Sequence, residues 1–108
     1  MITRIGTLEL RPWSMVTQEA IEALALAELS VPRQALAVAY LQSMPAREVR
    51  ESLERGTLRA EVEAFSDETP LAWLQPIVDW CTRETQAIAA ARVDVVPQHK
   101  PDPKAPGN

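Results

Sequence analysis

The residues that could carry catalysis or bind a metal are few and lie far apart. Cys81 is the only cysteine and His99 the only histidine, which excludes a disulfide within the chain and a zinc site of the usual kind. A nucleophilic Cys81–His99 pair would need the histidine to fold back from a proline-rich segment. The glycines, at positions 6, 56 and 107, are too scattered to form a phosphate-binding loop. We therefore expect no enzymatic activity, no cofactor and no metal.

The charged residues favour a solvated surface over a catalytic or DNA-binding one. Glu48, Glu51 and Glu54 alternate with arginines, whereas a catalytic carboxylate pair needs one desolvated member. Four arginines in residues 45–64 could belong to the recognition helix of a helix-turn-helix, but five glutamates lie among them. The whole chain carries a formal charge of −4, so we expect no nucleic-acid partner.

The three tryptophans are the candidates for binding a protein partner. Trp73 and Trp80 are seven residues apart in the last predicted helix, and Trp13 directly follows Pro12. The pair in the helix either widens its core-facing side or forms an exposed aromatic patch. Because tryptophan is enriched at interaction hot spots, we take all three as candidate partner-binding residues. We expect Trp13 to pack the N-terminal segment onto the first helix.

Apolar periodicity predicts an all-α fold, a small helical domain of four to five helices with a short N-terminal β-ribbon. Leu8 and Leu10 alternate with charged residues and Gly6-Thr7 can turn the chain, so residues 1–12 predict a hairpin that ends at Pro12. Because Pro76 interrupts the last helical pattern, we expect a short turn over residues 70–75 before a longer helix. Helices are predicted over residues 14–29, 32–44, 45–55, 57–65 and 70–92.

Two residues are predicted to bound these helices. Gly56 follows the third helix and suits the left-handed conformation in which many helices end. Thr69 precedes Pro70, the arrangement typical of a helix N-cap followed by the first helical residue.

The last residues differ from the rest in composition. Residues 93–108 hold four of the nine prolines and few apolar side chains, and they are predicted to be a flexible, disordered tail. The helical domain should then comprise residues 1–92. The chain has no apolar run of about 18 residues and no secretory signal, so we expect neither membrane insertion nor export. A single cysteine suits a reducing compartment, and we expect a cytoplasmic protein.

The N-terminal quarter of the chain resembles the start of bacteriophage tail assembly chaperones. A short extended opening runs into Leu10-Arg11-Pro12, then into a polar cap and a helix rich in alanine, leucine and glutamate. The later helix spacing is also similar, so that the resemblance covers residues 5–90. It implies a non-enzymatic role in virion assembly, in which the protein coats the tape-measure protein and helps to recruit tail-tube subunits in the host cytoplasm. Self-association along a long partner would suit such apolar helices.

Two other classes of function fit the same composition. One is a small regulatory protein, either a protein-binding inhibitor or antitoxin-like partner or a helix-turn-helix DNA-binding protein. The other is a structural component of the virion, such as a connector or baseplate subunit.

Overall fold

The computed structural model describes the backbone of residues 2–99 and the side chains of residues 2–91. Within that part of the chain, a two-stranded antiparallel sheet precedes five α-helices, which confirms the predicted fold class. Short 3-10 helices lie at Leu26–Glu28 and Leu71–Trp73. The strands are β1 (Thr3–Ile5) and β2 (Leu8–Leu10), and the helices are α1 (Met15–Ala23), α2 (Val31–Gln42), α3 (Ala46–Arg55), α4 (Leu58–Glu68) and α5 (Leu74–His99).

The N-terminal hairpin packs across α2 and α5 with one apolar and one polar face. Ile5 and Leu10 are 8% and 0% exposed, because alternate side chains of a strand point to the same side. Arg4 pairs with Glu9 on the opposite face, at 2.8 Å. Gly6 makes the turn with φ 59°, a conformation that glycine adopts without a steric penalty.

Helix α2 is the centre of the domain because it is buried on nearly every side. Residues 35–39 are all buried, and three of them are alanines that let neighbouring helices approach closely. On one side α2 packs with the hairpin and α5, and on the other with α1 and α4. The first cluster contains Ile5, Leu10, Ala35, Leu36, Val38, Ala39, Ile77 and Trp80. The second contains Val16, Ala20, Leu26, Ala37, Leu41, Val49, Leu58 and Val62.

Gln42, at the end of α2, holds the segment that joins the hairpin to α1. Its side-chain amide donates to the carbonyl of Arg11 at 2.9 Å and also to that of Pro12. Its side-chain oxygen accepts from the Thr17 hydroxyl, and its backbone oxygen accepts from the Arg11 N–H at 3.1 Å. Gln42 and Thr17 are 3% and 1% exposed, so these bonds satisfy polar groups that water cannot reach.

The first helix ends earlier than its sequence predicts. Instead of continuing to Leu29, α1 stops at Ala23, and Ala25 has a left-handed backbone with φ 54°. Such a conformation costs an alanine about 1–2 kcal/mol. The turn places Leu26 in the second cluster with 3% exposure, and burial of a leucine contributes about 2 kcal/mol. Tertiary burial therefore offsets the local preference for a longer helix.

Of the two residues predicted to mark helix ends, Gly56 takes the predicted role and Thr69 does not. Gly56 follows α3 with φ 78°, which confirms its predicted role. The prediction for Thr69 was wrong, because Thr69 ends α4 instead of capping the last helix. Its hydroxyl donates to the carbonyl of Phe65, one turn earlier, which also accepts from the Thr69 N–H at 3.0 Å.

The predicted turn ahead of the last helix is confirmed. Pro76 is the third residue of α5, where a missing N–H costs nothing because the first turn has no acceptor for it. The backbone of α5 runs to His99, beyond the predicted end at residue 92. The rest of the predicted tail, residues 100–108, lies outside the described residues.

Candidate partner-binding surface

The structure places the three candidate tryptophans in different environments. Trp80 is 1% exposed in the first cluster, so of the two alternatives it takes the core-facing one. Trp13 and Trp73 are half-buried at the edge of the same cluster. Trp13 lines one depression together with Ile21 of α1 and with Cys81 and Thr85 of α5, so it lies beside α5 as well as the first helix.

Trp73 packs flat against the turn of the hairpin. A Cβ atom at Gly6 would lie 2.2 Å from Cζ2 of the indole, so only glycine fits beneath the ring. Two residues earlier in the chain, Leu71 is 82% exposed. A shallow depression of about 250 Å³ adjoins the ring and is lined by Thr7, Leu8, Phe65, Glu68, Thr69, Pro70 and Trp73.

Trp13 borders a larger depression, which we call the Trp13 groove. The groove has a volume of about 290 Å³ and is mostly apolar. The backbone N–H of Trp13 donates to Glu84 Oε1 at 3.0 Å, which ties the main chain at Trp13 to α5. The groove is lined by Trp13, Gln18, Ile21, Leu26, Ala27, Gln34, Val38, Cys81 and Thr85.

Cys81 lies in this groove without the features of a nucleophile. Burial, together with the nearby negative charge of Glu84, raises the pKa of the thiol above its ordinary value, although a hydrogen bond with Thr85 acts the other way. A reactive cysteine needs a positive neighbour that lowers the pKa. The side chain therefore contributes apolar surface and stays protonated near neutral pH.

A second depression, which we call the arginine groove, lies between α4 and the start of α2. It has a volume of about 300 Å³, and Leu26 and Val62 form a floor that is 3% and 2% exposed. Arg33 bridges to Asp67 at 2.9 Å across it, and Arg59 donates to the carbonyl of Leu24. The groove is lined by Leu26, Leu29, Arg33, Arg59, Val62, Glu63, Ser66 and Asp67. Leu26 thus forms part of both grooves.

Three hydroxyl groups converge on the carboxylate of Glu61 where α2, α3 and α4 meet. Tyr40 and Ser52 donate to Oε1 at 3.0 and 3.2 Å, and Thr57 donates to Oε2 at 2.8 Å. Such an arrangement binds the charged form of the carboxylate and leaves it no role as a proton acceptor.

The pKa values of this cluster follow from its hydrogen bonds. Burial alone would raise the pKa of Glu61, but the bonds from Thr57, Tyr40 and Ser52 and the charge of Arg55 outweigh it and lower the pKa below its ordinary value. Burial and the bond to Glu61 raise the pKa of Tyr40 to about 12. Both groups therefore keep one protonation state through the neutral range, as expected of a structural cluster.

Three of the four arginines considered for DNA binding, Arg50, Arg55 and Arg59, make bonds within the molecule. Arg50 pairs with Glu19 at 3.0 Å, and Arg55 donates to the hydroxyl of Ser52 at 3.2 Å. Helix α3, which carries both, packs on α1 and α4. These bonds hold the side chains against the domain.

The described part of the chain has neither a metal-binding cluster nor a membrane-spanning helix. In the described part of the chain, no group of three or more histidine, cysteine, aspartate or glutamate residues is arranged to hold a metal ion. Among residues 2–99, no helix combines the length and the apolar character needed to cross a membrane. Comparisons with protein-family models, with curated proteins and with solved structures found no match.

The structure also shows functional candidates that the sequence reasoning missed. Leu26 lay in the middle of a predicted helix, and nothing in its spacing indicated that it would form part of two grooves. Gln42 could have been noticed, since it is a polar residue at the end of an otherwise apolar stretch. The buried set of Gln42, Thr17 and two backbone carbonyls is the reason that the Leu10-Arg11-Pro12 segment has a defined path.

Proposed function

We propose that the protein is a non-enzymatic phage tail assembly chaperone that binds amphipathic helices of a tape-measure protein. The observation that carries this proposal is the pair of grooves that share Leu26 on an otherwise charged helical domain. Apolar grooves with charged edges are a common way to hold the apolar face of a partner helix. Self-association of several copies along one long partner belongs to the same proposal.

The N-terminal resemblance supports the proposal at a second point. Leu10-Arg11-Pro12 is the motif on which the resemblance rests, and Leu10 is 0% exposed while Gln42 binds the carbonyls of the next two residues. The motif therefore acts as a structural joint that fixes the hairpin beside α1, and Trp13 follows it directly at the edge of a groove. This arrangement links the resembling segment to the candidate binding surface.

The test is co-expression with a tape-measure protein, a very long helical protein whose gene the proposal expects beside the gene for this chain. We expect the tape-measure protein to become soluble and to co-purify with the chaperone, and we expect purified virions to lack the chaperone. Finding the chain in virions would favour a structural component instead. A tape-measure protein that is equally insoluble with and without this chain would contradict the proposal, as would the absence of such a neighbouring gene.

A matched pair of variants locates the binding surface. Ala27 is exposed and lines the Trp13 groove, so Ala27→Arg should place a charged side chain in the path of a partner helix. We expect at least about a tenfold loss of co-purified tape-measure protein, which is typical of a blocked hot spot. Ala60→Arg makes the same change at an exposed position of α4 that lines neither groove, and it should bind as the unaltered chain does. Equal binding by both variants would show that the partner uses another surface.

A further inference from the structure

The corner segment, residues 24–29, departs from the conformation that its own sequence favours. The stretch from residue 19 to residue 29 consists almost entirely of alanine, leucine and glutamate, which are strong helix formers. Yet α1 ends at Ala23, and Ala25 has φ 54° and ψ 41°. Ala25 is the only residue other than glycine with a positive φ in the described part of the chain. Local preference and tertiary packing therefore oppose each other at this position.

The two side chains that bond to the corner segment are not fully buried, since Gln34 is half-buried and Arg59 is exposed. Gln34 donates to the carbonyls of Ala27 and Leu29 at 2.9 and 2.6 Å, and the exposed Arg59 donates to the carbonyl of Leu24. Hydrogen bonds that water can replace stabilise the closed corner only slightly relative to an open one. Leu26 is the one fully buried side chain of the segment, and Leu24 and Leu29 are half-buried against the same cluster, so three leucines supply the apolar contact that keeps the corner closed.

We propose that the corner segment opens as a unit while the rest of the domain stays folded. In the open state α1 extends from Ala23 to Leu26, so that Ala25 takes the right-handed helical conformation. Residues 27–30 then form the connection to α2. Three further helical residues lengthen α1 by about 4.5 Å. Four extended residues can span up to about 13 Å, so the connection can lengthen with it.

Opening changes the binding surface because Leu26 belongs to both grooves. When Leu26 leaves its place between α1, α2 and α4, the Trp13 groove and the arginine groove, about 290 and 300 Å³, join into one longer apolar channel. The corner segment thus decides whether the surface offers two short grooves or one long one. The inference concerns a motion of the free chain and goes beyond the proposed function, because it holds whatever the partner is.

Amide hydrogen exchange of the free chain, followed by NMR, tests the opening. The N–H of Glu28 donates to Ala25 and that of Leu29 donates to Leu26, both at 3.1 Å, and both bonds break when the corner opens. The buried Leu41 in α2 reports global unfolding. We expect Glu28 and Leu29 to exchange through an opening with a much smaller dependence on denaturant than Leu41, because little surface is exposed.

Substitution of Ala25 tests whether its strained backbone conformation favours opening of the corner segment. Glycine takes left-handed and right-handed conformations almost equally, so Ala25→Gly should make the closed corner more favourable and slow the exchange of Glu28 and Leu29 about tenfold relative to Leu41. Ala27→Gly is the matched control, because Ala27 lies in the same segment without a positive φ. It should not slow exchange at these two amides.

Two results would overturn the inference. If Glu28 and Leu29 show the same denaturant dependence as Leu41, the corner opens only when the whole domain unfolds. If Ala25→Gly and Ala27→Gly change the exchange of these amides alike, strain at Ala25 does not favour the open state. Neither result bears on tape-measure binding, so this test and the co-expression test fail independently.

Discussion

Two glutamines of α2 make nearly the same bonds at the two ends of α1. Gln42 donates to the carbonyls of Arg11 and Pro12, which lead into α1, and Gln34 donates to those of Ala27 and Leu29, which follow it. The surroundings differ. Gln42 is 3% exposed and also accepts from the buried Thr17, whereas Gln34 is half-buried and bonds to a segment with a strained residue.

The difference indicates that burial, more than the number of bonds, decides how firmly a connection is held. A buried polar group that loses its partner keeps the full penalty of desolvation, while an exposed one bonds to water instead. The entry to α1 is therefore a fixed joint, and the exit is the place where motion costs least. The same domain thus has a rigid N-terminal side and an adjustable corner beside its grooves.

The largest expected effect comes from removing the buried glutamine. Gln42→Ala removes the side-chain partner of two backbone carbonyls and of the buried Thr17 hydroxyl, which then keeps only its bond with Ser14, and should lower the free energy of unfolding by about 3 kcal/mol, measured by urea denaturation. Gln34→Ala removes two bonds of similar length but should cost less than about 1 kcal/mol. An equal loss of stability in the two variants would show that burial does not distinguish Gln42 from Gln34.

The hairpin turn offers a second test on the rigid side. Gly6→Ala forces an alanine into a left-handed conformation and drives its Cβ into Trp73, and it should cost about 3 kcal/mol. Gly56→Ala has the same backbone problem at φ 78° but nothing within 4 Å of the new Cβ, so its cost should be about 1 kcal/mol. The difference in free energy of unfolding measures the contact with Trp73. If both cost the same, the indole moves aside easily and the hairpin is less firmly held than the comparison requires.

The smallest expected effect is on pH dependence, at the half-buried Glu61. Its pKa is lowered in the folded state, so the stabilisation from its hydrogen bonds is fully present above the ordinary value of 4.5 and is lost as the pH falls through the lowered folded value. Denaturation series between neutral and acid pH should show this loss. Glu61→Gln, which cannot ionise, should show a smaller decline over the same range. An equal decline in both proteins would mean that another group controls acid stability.

The elements were largely predictable because their signals are local. The alternation of Leu8 and Leu10, the glycine at position 56 and the proline at position 76 each act within a few residues, and the structure has a strand, a helix end and a helix start there. Thr69 shows the limit of local reasoning. A threonine before proline can cap the end of α4 or the start of the next helix. Here α4 continues to Glu68, beyond its predicted end at residue 65, and the Thr69 hydroxyl therefore bonds to Phe65 at the end of α4.

The candidate site was only partly predictable. The spacing of Trp73 and Trp80 predicted one helix for both, yet Trp73 ends the 3-10 helix ahead of α5 and packs against a glycine of the hairpin, whereas Trp80 is buried within α5. The segments that cover them, the hairpin and α2, lie more than thirty residues away in the chain. The grooves depend on Leu26 in the same way, since its place follows from a turn that the local sequence disfavours.

The sequence by itself determined the helical class, the hairpin, most helix boundaries and the scarcity of catalytic residue types. Each of these depends on residue type or on contacts between near neighbours. Only the tertiary structure decided that α1 stops at Ala23, that Gln42 is buried while Gln34 is not, and that Trp80 belongs to the core. Those outcomes depend on how much surface distant segments bury together, and that free energy exceeds the preference of any single residue for its local conformation.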